Sequence, residues 1–80
     1  MLAQADCALA VLRLLAVDKG CQPGDDIHNA IIQKWAVEAG LTEAALDLGL
    51  SYAGEMGWIT TGTLADTTTV TQSGRDHANG

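Results

Sequence analysis

The side chains best suited to chemistry in this eighty-residue chain are two thiols and two imidazoles: Cys7, Cys21, His28 and His77. A thiolate beside an imidazole can act as a nucleophile, and Cys with His can hold zinc, but both uses depend on arrangement. No CxxC or HxxxH spacing occurs, so a metal site is not expected. Cys21 and His28 lack a third group to orient the imidazole, and nothing near them suggests a cleft. Arg75-Asp76-His77 reads as a solvated helix start. Gly54-Glu55-Met56-Gly57 falls at a helix end, not at the helix start where a glycine-rich loop cradles phosphate. The expectation is a protein that is not an enzyme and carries no cofactor.

What remains is the chemistry of charge. Ten acidic and four basic residues leave a formal net charge of −6. Such a surface repels nucleic-acid phosphates and attracts basic partners. Glu43, Asp47, Ser51 and Glu55 recur every four residues and so form one row on a helix. Leu48 and Tyr52 stand beside that row, giving an apolar spot rimmed by carboxylates. Together the six residues make a candidate contact face for a partner with a hydrophobic anchor and a basic rim. The alternative for the row is a solvated helix face, and for Leu48 and Tyr52 packing beneath neighbouring elements.

The elements that position these residues follow from periodicity and punctuation. A first helix is expected over Ala3 to Val17, apolar nearly all round apart from Gln4, Asp6 and Arg13. A helix of that kind is buried on several sides or covered by a partner, a hint of a homodimer through it. Asp18 to Gly24 is a loop. Asp25 or Asp26 can cap a second helix over Ile27 to Glu38, with Ile27, Ile31 and Trp35 as an inward stripe and Ala30 and Val37 beside them. Gly40 ends it.

Thr42 is the natural cap of a third helix, with Leu41 and Leu46 spaced as a hydrophobic staple. Leu46, Leu50, Ala53 and Gly57 predict its inward side. Gly49 costs helix propensity and is better explained by the close approach of another backbone. A break at Gly49-Leu50-Ser51 would give two short helices, but the inward stripe runs across it. Trp58-Ile59-Thr60 and Thr67 to Thr71 are β-branched and aromatic, which suits two strands joined by Gly62 to Asp66. Ser73 to Ala78 predicts a last helical turn.

ALDLGLSYAGEMGWI resembles the third helix and first wing strand of the winged helix-turn-helix superfamily. VTQSGRDHA resembles the segment leaving the wing in MarR- and PadR-type regulators, where Thr-x-x-Gly-Arg opens a closing helix; the matching residues are Thr71, Gly74 and Arg75. The resemblance implies an α+β fold of three helices, a two-stranded β-hairpin wing and a short C-terminal helical turn, one domain over residues 1–80. It also implies a DNA-binding transcriptional regulator. That function needs Lys and Arg for the phosphates and Arg, Asn or Gln for base edges. The only basic residues are Arg13, Lys19, Lys34 and Arg75, scattered along the chain, and the wing carries none. The resemblance therefore bears on architecture, and the favoured function is regulation or interaction through protein contacts.

Cys7 lies in an apolar helical run and reads as a small hydrophobe. Cys21 is either a free thiol or bridged to Cys7; nothing marks an oxidising compartment. The apolar run Cys7 to Val17 lacks a basic leader and falls short of the ~20 residues that span a bilayer. A soluble, cytoplasmic protein is expected, without membrane contact. Small size and acidity also fit a phage or mobile-element protein that binds a host factor.

Overall fold

The computed structural model describes residues 3–80; residues 1 and 2 of the expected domain lie outside it. Helix α1 covers Gln4–Leu12 and continues without a break into a π-helical segment, Arg13–Asp18. This matches the extent expected for the first helix, but its last turns are wider. The Lys19 N–H bonds back to the Leu14 carbonyl at 3.0 Å, and Gly20 then closes the helix at φ 65°. In a regular α-helix three consecutive side chains sweep 200°, so one of them would face outward. The wider turn buries Leu14, Leu15 and Ala16 together.

The chain then departs from expectation. Ile27–His28 is a short strand, β1, and helix α2 begins only at Asn29, running Asn29–Glu38. Neither Asp25 nor Asp26 caps it. The cap is His28, whose Nδ1 accepts from the Ala30 N–H at 3.2 Å. Later initiation shifts the phase of the buried stripe. Ile32 and Ala36 are 1% exposed, whereas Ile31 is 44% and Val37 74% exposed. Trp35 is half-buried against the core.

Helix α3, Glu43–Glu55, starts where the sequence indicates: the Thr42 Oγ1 accepts from the Ala45 N–H at 3.1 Å. It ends at Gly57, which takes φ 77°. Strands β2 (Ile59–Thr61) and β3 (Thr67–Val70) form the hairpin, and β1 joins its far edge. The result is a three-stranded antiparallel sheet of order β1-β3-β2, with Ile27 opposite Thr68 and His28 opposite Thr67. The expected two-stranded wing thus gains a third strand.

The last element, α4 (Gln72–Asn79), is longer than the single turn expected. Thr71 sets it in place twice over. Its Oγ1 accepts from the Gly74 N–H at 3.1 Å and donates to the Gly57 carbonyl at 2.7 Å. Gly74 lies directly against the Trp58 backbone carbonyl, where a Cβ has no room, and Arg75 donates to the Gln22 Oε1. Each matched position of the Thr-x-x-Gly-Arg pattern has a structural task.

Among the described residues the architecture is α+β, four helices and one antiparallel sheet around a single core. A radius of gyration of 11.0 Å agrees with the ~12 Å of a compact chain of this length. Val11, Leu12, Leu15, Ile32 and Val70 are its largest fully buried side chains. Cys7 and Cys21 are both buried and unbridged. Desolvation pushes the Cys21 thiol above its ordinary value, and the nearby Asp25 carboxylate adds to this. No helix among the described residues is long and apolar enough to cross a membrane.

Asp26 ties the loop before β1 to the hairpin tip. Its carboxylate accepts from the Thr63 hydroxyl and from the Thr63 N–H at 3.3 Å. The hydroxyl bond, aided by backbone N–H groups of Thr63 and Leu64, holds the Asp26 carboxyl below its ordinary 3.8. A depressed folded value means that the tie contributes fully above that ordinary value and is lost as pH falls through the lower one. Loosening of the hairpin tip is therefore expected only in acid. Amide NMR of Thr63 across an acid titration should report it, and Asp26→Asn should abolish the pH dependence. A Thr63 amide indifferent to both would show that the tie does not form in solution.

Candidate functional site

The close approach at Gly49 aims α3. Its inward side is Ala45, Leu46, Gly49 and Ala53, rotated from the expected Leu46, Leu50, Ala53 and Gly57. Gly57 lies beyond the helix, and Leu50 is half-buried. The rotation arises at Gly49, whose bare Cα lets α1 come close. A Cβ there would lie 2.6 Å from the Cys7 carbonyl oxygen. Backbone approach at Gly49 is as the sequence suggested.

With that side pinned to α1, the opposite side is open. Glu43, Asp47, Ser51 and Glu55 are all exposed and form one continuous row. Leu48 and Tyr52 are half-buried at one margin of it. Their roles differ. Tyr52 packs against the core and its ring meets Trp58 at 5.8 Å, while Trp58 stacks on His77 at 4.0 Å with an 11° interplanar angle. This ladder joins α3, the start of β2 and α4, so Tyr52 is an anchor as well as a surface group.

The four basic residues do not gather at the row. Arg13 lines an open depression with Leu9, Trp58, Ser73 and His77, between α1 and α4. Arg75 is held by Gln22 in the loop after the π segment. The Lys19 ammonium sits 5.2 Å from the Trp35 ring centre, a contact worth ~0.5–1 kcal/mol when exposed. Lys34 is exposed on α2. The expected homodimer through α1 rested on its apolar surplus. Within the protomer α3, α4 and the π segment pack on α1, and its buried residues include Cys7, Ala8, Val11 and Leu12. That surplus is thus largely accounted for inside one chain.

Asn29, Gln33, Ile59 and Thr68 also border α3, and the sequence reading passed over them. They line a depression with Leu46, Asp47 and Leu50. Gln33 stands on the α2 wall of this depression, one turn after the first residue of the helix, Asn29. The one available signal was the β-branched Ile27 followed by His28-Asn29, a strand-to-cap pattern too short to stand alone. Among the described residues, no group of three or more His, Cys, Asp or Glu is placed to hold a metal ion.

No protein-family model matches the chain, and neither a curated protein nor a solved structure matches it. The functional reading rests on the geometry of α3.

Proposed function

We propose that this chain is a small winged helix-turn-helix module that regulates or recruits through protein contacts made by the outer face of α3. The winged-helix reading draws support from the order of α1, α2, α3 and the β2–β3 hairpin, and from the tasks of Thr71, Gly74 and Arg75. β1 widens the hairpin to three strands.

The observation that carries the function is the exposed row Glu43, Asp47, Ser51 and Glu55, on a helix with no Lys or Arg. Set against a duplex, three carboxylates meet phosphates with like charge, and the basic residues that would anchor the contact lie on other elements. Against a protein, the same row steers a basic surface, and Leu48 beside it supplies an apolar contact.

The test is retention of partners from an extract of the native host. Leu48→Asp/Glu55→Lys, one change at a half-buried and one at an exposed position, is expected to weaken binding of the retained protein at least about tenfold while melting shows the fold intact. Tyr52 is left intact because it supports Trp58. Duplex DNA bound tightly at physiological salt, or a partner indifferent to the double variant, would sink the reading.

A further inference from the structure

Three depressions run into one another along the margin of α3 opposite Leu48. The first lies between Val37 and Glu43, the second between Gln33 and Asp47, the third between Gly54 and Thr61. Gln33 and Leu46 belong to the first two, and Ile59 and Thr68 to the last two. They form one trough.

Its walls are regular. On α3 the lining residues Glu43, Leu46, Asp47, Leu50 and Gly54 share one helix face. On α2 Asn29, Gln33 and Val37 recur every four residues and share another. The sheet closes the far end with Thr60, Thr61 and Thr68. Ile32, Leu46, Leu50 and Ile59 make the floor apolar, and Val37 adds an exposed apolar lip. Among the described residues, the only charged groups lining any part of it are Glu43 and Asp47; no Lys, Arg or His does.

We propose that this trough receives a short basic segment of a partner protein, with an apolar side chain along Leu46 and Leu50 and Lys or Arg toward Glu43 and Asp47. The proposal rests on the protein-contact reading and specifies the partner's chemistry. Charge complementarity selects the occupant: two carboxylates beside an apolar floor attract a cationic segment and repel phosphate. A second copy of this chain offers no such segment, since its four basic residues lie apart in the sequence and on separate elements. A small molecule would need convergent polar groups in a closed pocket, and this trough is open along its length.

The experiment is selection from a random peptide display library with the full chain as bait, followed by fluorescence anisotropy of the enriched peptides. Gln33→Lys/Val37→Lys turns the trough lip basic, and Ser51→Arg/Glu55→Lys changes only the outer row. All four positions are exposed, so both variants should melt as the wild type does. Enriched peptides are expected to pair Lys or Arg with an apolar residue and to bind the trough variant at least about tenfold more weakly. The outer-row variant should lose less, because it leaves Leu48, Glu43 and Asp47 in place. Loss confined to the outer-row variant would overturn the trough and leave the protein-contact reading standing. Peptides indifferent to both variants, or no enrichment at all, would overturn both. Enriched peptides without basic residues would overturn the trough's charge selectivity and the proposal with it.

Discussion

Gly49→Ala is expected to destabilise this protein by about 2 kcal/mol net, although in an isolated helix the same change is favourable. Two effects oppose each other. Alanine gains about 1 kcal/mol over glycine in helix propensity and in reduced freedom of the unfolded chain. Against this, its Cβ would sit 2.6 Å from the Cys7 carbonyl oxygen and 2.9 Å from the Val11 Cγ2. The first neighbour is backbone and has no rotamer to swing away, so α1 and α3 must separate. Overpacking of this kind costs roughly 1–3 kcal/mol, and a backbone-to-backbone clash belongs at or above the top of that range. For a domain of this size the net loss lowers the melting temperature by roughly 10 °C.

A control lies one turn further along the same helix. Gly54 is exposed, and a Cβ there meets nothing within 4 Å. Gly54→Ala should therefore stabilise, by roughly 0.5–1 kcal/mol. Opposite signs for the two variants in urea unfolding are the expected result. Equal effects would mean that α1 and α3 do not pack at Gly49 as described.

Leu15→Ala is the second large effect, with an expected loss of about 2–5 kcal/mol. Leu15 is 0% exposed and stands in the π segment that packs against α4. Total stability for eighty residues is on the order of 4–12 kcal/mol, so the variant loses a large share of it. Leu14→Ala should also cost more than about 2 kcal/mol, because Leu14 too is buried. If denaturant unfolding finds either change near neutral, the wide turn that directs Leu14, Leu15 and Ala16 inward together is wrong. Val17→Ala is the surface comparison: Val17 is 51% exposed, and a change within about 0.5 kcal/mol is expected.

These variants also mark how far the sequence could be read. Thr42 as a cap, Gly49 as a close approach and the β-branched hairpin were legible from the residues, and the opening of the last helix at Thr71 from the resemblance alone. The caps and the hairpin depend on residues close together in the chain, whereas Gly49, which meets the distant Cys7 carbonyl, was legible only as a helix-weakening residue inside a helical run. β1 was not legible, because one β-branched residue and its neighbour are too short a run to signal a strand. Ile27 and His28 are extended only because β3, far along the chain, offers its edge, and Asn29 then donates to the Asp66 carbonyl at 2.8 Å. From that miss followed the wrong cap and the wrong stripe on α2. Asp26, expected at a helix start, was free to bind Thr63 instead.

The candidate site divides in the same way. The row Glu43, Asp47, Ser51 and Glu55 was readable because helical spacing alone brings its members together. The trough beside it was not, since α2, α3 and the sheet each contribute part of its lining. Tyr52 was read either as part of the contact face or as packed beneath neighbouring elements, and the placement of Trp58 between it and His77 decided for packing.

By itself, then, the sequence determined the helix boundaries set by local caps, the hairpin, the charge, and the acidic row on α3. Those are properties of short range, fixed by hydrogen bonds and side-chain spacing within a few residues. Tertiary structure decided where α2 begins, that α1 is covered by its own chain, and that the basic side chains stand away from the acidic row. It also decided that α3 has an apolar trough along one margin. Each of these depends on pairing or packing between distant segments, whose free energy appears only when the whole chain closes on its core.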